Sequence, residues 1–307
     1  MKIHVMFSVD WEGTSLIEDN LLAMRELSNE FPHIPRIQFL NPAHFISSEN
    51  WDATSAKELV PLGISSKDEI GLHIHARQRL IEAANVKFRN RPSFFGGESV
   101  NFLGEYGGDV PITSYTVDEL DKIIKYSLKI LAQNGFHNIQ SFRAGGWCAN
   151  EKVYEALLKN NIIADSSPVP ASLVANRYPN TYLHTLAEEL WSDTTTLSYP
   201  YLKTINGSQI KVFPNNCCLA DYVSFEQAQE IYQSCVKNAS DEKKNAYFHY
   251  GWHQETLAVA HRPQKDGSFP IKTTAYFKRV HKLMTYLTRE SKKGNCEIIF
   301  SLINKMI

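Results

Sequence analysis

The chain has 307 residues, 43% of them hydrophobic, and a formal net charge of -1. That is ample apolar material for a packed core, with no electrostatic bias toward nucleic acid or an anionic membrane surface. One elaborated domain over 1–307 is expected, because α/β barrels reach this length and no linker-like stretch or charge block divides the chain.

The first element is "KIHVMFSVD", in which Ile3 to Val9 read as a strand covered on both faces. It emerges into two acids, Asp10 and Glu12. The strand occupies the start of the chain and leaves no room for an export signal, and no apolar run of about 18 residues follows. A cytosolic protein without membrane insertion is therefore expected. The five cysteines (Cys148, Cys217, Cys218, Cys235, Cys296) lack the spacing of a disulfide framework or a zinc site and read as reduced thiols.

Further β-prone runs follow in order: "RIQFL", "EIGLHIH", "IQSFRA", "NIIAD", "NAYFHYG" and "CEIIFSL". Helices lie between them. Thr116 with Glu119 forms a capping box ahead of Leu120, Ile123, Ile124, Leu128 and Leu131, and Ser224 with Gln227 forms another ahead of Ala228, Ile231, Tyr232, Cys235 and Val236. A late helix carries Tyr276, Val280, Leu283, Met284 and Leu287. This alternation predicts a parallel sheet, open and doubly wound or closed as a barrel. "YLKTINGSQIKVF" interrupts it as a hairpin turning at Asn206-Gly207. Two long irregular segments, about 88–115 and 166–201, are expected as insertions that either cover a cleft or decorate the surface.

Polar residues gather where the predicted strands end, the face on which parallel sheets build their sites. They are Asp10 and Glu12, His73 and His75, Arg143, Asp165 and His249. Residues two apart on a strand point the same way, so His73 and His75 can present both imidazoles to one ion. Two imidazoles and one carboxylate make the ligand set of a catalytic zinc-type site, and the second carboxylate is then free to act as a base. Taken singly, the histidine pair also reads as two hydrogen-bonded histidines, the acids as a helix cap and Arg143 as a salt-bridge partner. The remaining histidines, His4, His33, His44, His137, His184, His253, His261 and His281, have no such company and read as structural or surface residues.

In the order "FSVDWEG", "EIGLHIH", "SFRAGGW", "IIADSS" and "YFHYGWH", the sequence resembles the five motifs of the polysaccharide deacetylases, the NodB-type carbohydrate esterases of family four. The resemblance implies a distorted (β/α) barrel of seven or eight strands and metal-dependent removal of acetyl groups from sugars. By this resemblance Asp10 is the catalytic base, Arg143 orients it, and Glu12, His73 and His75 hold a divalent ion, zinc first, with nickel or cobalt as alternatives. His249 stands for the general acid and Asp165 for the acid that supports it. Gly146, Trp147 and Trp191 are expected to touch substrate, with Tyr199 and Tyr201 as further sugar-stacking candidates. The chain departs from the family in having Asp-Trp-Glu for adjacent aspartates, Arg77 for the usual second histidine, and Ala144-Gly145 near a common proline.

A cytosolic member of such a family would act on a precursor, an acetylated sugar nucleotide or a lipid-linked saccharide, in synthesis of a surface glycan such as lipopolysaccharide. The competing expectations are an amidohydrolase on a non-sugar amide, a catalytically silent glycan-binding protein, and a glycosidase using Asp10 and Glu12. The last is disfavoured because a substrate must lie between such a pair.

Overall fold

The structure, a computed structural model, describes residues 1–13, 15–48, 51–259, 271–294 and 296–307. His261 lies outside the described residues. In chain order the strands are β1 (Lys2–Asp10), β2 (Ile37–Leu40), β3 (Glu69–Ile74), β4 (Ser141–Ala144), β5 (Ala164–Asp165), β6 (Tyr201–Ile205), β7 (Ser208–Val212), β8 (Ala246–His253), β9 (Ala258–Val259), β10 (Lys272–Thr273) and β11 (Glu297–Phe300). The helices are α1 (Glu18–Glu30), α2 (Thr54–Gly63), α3 (Gln78–Ala83), α4 (Val117–Gln133), α5 (Glu151–Lys159), α6 (Ala171–Val174), α7 (Tyr182–Leu190), α8 (Phe225–Asp241) and α9 (Ala275–Lys292).

Parallel pairing sets β8, β1, β2, β3, β4, β5 and β7 side by side, β11 joins the first half of β1, and β6 turns back antiparallel on β7. The remaining gap is bridged by the stretch after β7. Phe213 N and Asn215 N donate to Asp165 O and Pro168 O on one side, each at 2.7 Å, while Cys217 N and Ala220 N donate to His249 O and Gly251 O on the other, at 3.0 and 2.9 Å. The sheet is thus a distorted α/β barrel. Cys217 and Cys218, fully buried free thiols, are part of this closing stave, which gives the vicinal pair a structural place.

Alternation sorts each strand. Ile3, Val5, Phe7 and Val9 face the helices in the main hydrophobic core, while Met6, Ile37, Phe39, Ala164, Phe213 and Tyr247 form a smaller interior cluster plugged by Leu302 and Ile303. Ser8, Asp10, His73, Arg143, His249 and His253 share the inward parity. The barrel therefore has an apolar floor and a polar upper half. Both expected capping boxes are present, on α4 and α8, and the hairpin turns at Asn206 (φ 48) and Gly207 (φ 83).

Two expectations change in detail. The segment about 166–201 is not simply irregular, since it contains α6 and α7. "NIIAD" supplies only the two residues of β5, because the chain leaves the sheet after Asp165 for that insertion.

Candidate functional site

Glu12 follows the end of β1, and His73 and His75 lie at the end of β3. His73 Nδ1 is 2.8 Å from Arg143 O, and His75 Nδ1 bonds Gly108 O. A carbonyl can only accept, so both Nδ1 atoms carry a proton, and in the neutral ring each Nε2 presents a lone pair. Those lone pairs point at a carboxylate. Glu12 Oε1 lies 2.8 Å from His75 Nε2 and 3.5 Å from His73 Nε2, and His73 Nε2 is buried without a hydrogen-bond partner. Three electron-rich atoms within 4.8 Å of one another repel unless a cation or proton lies among them, so the donor set fits a divalent ion. Gly145 is needed beside it, because a Cβ there would fall 2.6 Å from the His75 ring.

The Asp10 carboxylate is held by Arg143, fully buried in the barrel, whose Nη1 donates to Asp10 Oδ1 at 2.7 Å and to Ser8 Oγ at 2.8 Å. Its Nε donates to Ser166 O at 3.0 Å and Nη2 to Ser166 Oγ at 2.9 Å. The guanidinium lies 4.4 Å over the Phe39 ring. One face and the hydrogen-bonded edge of the fork are thus fixed, and Asp10 is presented to the cavity in one orientation.

His249 does not reach this cavity. It sits within β8, register partner of Met6, with Nε2 accepting from Ser8 Oγ at 2.9 Å and from Arg143 Nη2 at 3.3 Å, and Nδ1 against the Tyr247 hydroxyl at 3.1 Å. Burial first, then the Arg143 charge, pushes its pKa well below the ordinary value, so it is a neutral barrel-core histidine. The strand continues four residues further, about 13 Å at 3.3 Å per residue. At its end stands His253, register partner of Asp10.

His253 Nε2 is 3.4 Å from Glu12 Oε1 and Nδ1 is 3.1 Å from Asp221 Oδ2. Burial alone would lower its pKa, but Asp221 and then Glu12 raise it well above the ordinary value. Burial likewise opposes the Asp221 and Glu12 carboxylates, but His253 with Arg177 at Asp221, and His253 with His75 and His73 at Glu12, together hold both below their ordinary values. Arg177 pairs with the same Asp221 oxygen and lies near the Tyr178 and Tyr222 rings.

Asp165 touches neither histidine. It accepts from Ser167 Oγ at 2.6 Å and Tyr154 Oη at 2.9 Å, and burial pushes its carboxyl up to about 6. It ties β5 to α5 and to the start of the insertion. Asp221, in the loop between the closing stave and α8, has the position beside the cavity histidine that Asp165 was expected to have.

A cavity of about 250 Å³ joins these groups, with Asp10, Glu12, His75, Asp221, His253 and Glu255 among its polar lining. The 88–115 segment brings Phe94, Phe95 and Asp109 to it, and the α6–α7 segment brings Arg177, Tyr178 and Leu183. Gly146 and Trp147 also line it, Trp147 at φ 57, a strained conformation for a bulky residue. Trp191 does not; buried behind, it donates its Nε1–H to Trp147 O at 2.9 Å. Tyr199 packs edge-on against Tyr247, and neither it nor Tyr201 lines the cavity.

No family model and no curated protein sequence matches the chain. Solved structures similar to it include a candidate polysaccharide deacetylase from Mycobacterium smegmatis (11% identity, 99% of this chain and 88% of that one, TM-score 0.49). A family 4 carbohydrate esterase from Streptomyces lividans in complex with acetate is another (10% identity, 97% and 93%, TM-score 0.43). A family 4 pseudoenzyme from Bacillus anthracis is a third (7% identity, 97% and 63%, TM-score 0.43). At such identities the likeness is one of fold.

Proposed function

We propose that the protein is a metal-dependent deacetylase that removes an acetyl group, N-linked in the first instance, from a sugar. The observation that carries this reading is the meeting of two oriented pairs, Asp10–Arg143 and His253–Asp221, with one carboxylate–histidine cluster in a single cavity. A divalent ion held by Glu12, His73 and His75, zinc first and nickel or cobalt next, would polarise the acetyl carbonyl and acidify water there.

The protein groups divide the proton work. Asp10, its carboxylate fixed by Arg143, takes the proton of the attacking water as oxygen bonds to the acetyl carbon. His253, charged and held by Asp221, gives a proton to the sugar nitrogen as the carbon–nitrogen bond breaks, so acetate and an amine leave. An amide needs that second transfer, because an amide anion is too poor a leaving group. Phe94, Trp147 and Tyr222 supply apolar wall for the faces of a sugar ring, beside carboxylates that can accept from its hydroxyls.

We infer a precursor in bacterial surface-glycan synthesis, such as lipopolysaccharide, acted on in the cytoplasm as an acetylated sugar nucleotide or lipid-linked saccharide. A cavity below the usual range of about 300–1,000 Å³ for drug-sized ligands suits one sugar ring. The test is acetate release from N-acetylated sugars set against formyl and cyclic amides, with Asp10→Asn and His253→Ala alongside. Turnover of the sugars, lowered in both variants, is expected. Turnover confined to non-sugar amides would make the protein an amidohydrolase of another class, and glycan binding without turnover would make it a binding protein.

A further inference from the structure

The 88–115 segment does more than wall the cavity. Beyond Phe94 it carries Phe95 (54% exposed), Val100 (58%), Phe102 (60%), Leu103 (62%) and Tyr106 (37%) to solvent within a dozen positions. So dense a run of exposed large apolar side chains marks an interaction surface rather than scatter. Its tip is a tight turn in which Phe102 N donates to Glu105 O at 2.8 Å and Glu105 N to Phe102 O at 3.2 Å. Leu103 occupies that turn at φ 52, a conformation in which asparagine or glycine is more at ease than leucine.

The tip is also braced outward. Ser99 N donates to Asn90 O at 2.7 Å, Gly107 N to Ser99 Oγ at 2.7 Å and Gln78 N to Tyr106 O at 3.0 Å, so the base of the lip is tied down while its apolar residues stay out. The acidic side chains of 95–106, Glu98 and Glu105, pair with Arg91 and Arg79. The lip offers hydrocarbon and aromatic surface without a cationic patch.

We propose that 95–106 is a bilayer-docking lip that brings the cavity to the acetylated sugar of a lipid-linked saccharide held in a membrane. What commits the lip to this occupant is its continuity with the cavity: Phe95 belongs to both the cavity wall and the exposed surface. A cavity with room for one sugar ring leaves the rest of its substrate lying across that lip, and the lip is apolar. The substrate half of the proposal rests on the deacetylase reading; the docking half does not.

The experiment is co-sedimentation of the full chain with phosphatidylcholine vesicles, comparing wild type with Phe102→Ser/Leu103→Asn. Asparagine suits the turn, so the variant keeps its fold, checked by thermal melting and by acetate release from a soluble N-acetyl sugar. Wild type should pellet with neutral vesicles, and the variant's partitioning should fall about tenfold or more. Wild type remaining in the supernatant, or equal binding by the variant, would overturn the proposal. So would concentration-dependent self-association, seen by sedimentation velocity and abolished by the same substitutions, since a second copy would then cover the lip. Vesicle binding without acetate release from any sugar would overturn the substrate half and the deacetylase reading together while docking stood.

Discussion

His253 and Asp221 face each other across 3.1 Å, Nδ1 to Oδ2, with the other imidazole nitrogen 3.4 Å from Glu12. An imidazole with a carboxylate at each nitrogen is held as its cation against the cost of burial. This fixes which histidine can donate a proton in the cavity, and it is not the one in the middle of the strand.

The pH dependence follows from that pair. A histidine whose pKa is raised is fully protonated below its ordinary value of about 6.5 and loses the proton only as pH rises through the raised value. The alkaline limb of kcat should therefore lie above the ordinary histidine value. An ion at Glu12 would engage one of the two carboxylates and leave Asp221 as the main support, so Asp221→Asn should move the limb to lower pH. His253→Ala should lower kcat by about 10²–10⁴ and abolish the limb, whereas His249→Gln should leave its position unchanged. A pH–kcat series on the four proteins decides this.

Arg143 and Asp10 should separate stability from chemistry. Arg143→Leu leaves the buried Asp10, Ser8 and Ser166 oxygens without their donor, at a cost of about 3–5 kcal/mol in urea unfolding. Asp10→Asn keeps an acceptor for Arg143 in the same shape. Because it also removes the counter-charge of the buried guanidinium, it should lose less stability than Arg143→Leu, about 1–3 kcal/mol, while kcat falls by about 10²–10⁴.

Gly145→Ala is expected to act through the cluster and not through the fold. The added Cβ, 2.6 Å from the His75 ring, turns that imidazole off its carbonyl partner. Metal affinity measured by competition with a chromogenic chelator should weaken about 10–100-fold, as for loss of a group that orients a ligand.

Much of this site could be read from alternation alone. The apolar run Ile3 to Val9 forces Asp10 to one face, and "HIH" forces both imidazoles the same way, so the sheet had little choice but to bring them together. His253 was missed because "YFHYGWH" was ended too early. The strand pairs with β1 through all eight residues, Ile3 to Asp10, running on through Gly251, the glycine at which "NAYFHYG" stops. Asp221, Arg177 and Tyr222 leave no mark in the pattern of strands. They come from loops and an insertion whose path depends on the closing stave and on packing across the cavity, which no local period encodes.

The most direct test of the account is the metal content of purified protein by elemental analysis, in wild type and in His73→Ala/His75→Ala, read together with acetate release from an N-acetylated sugar. One equivalent of zinc, nickel or cobalt per wild-type chain is predicted, absent from the double variant, with acetate release that disappears on chelation and returns with the ion. A wild-type chain that takes up no divalent ion on reconstitution, or that releases acetate equally well after chelation, would contradict it.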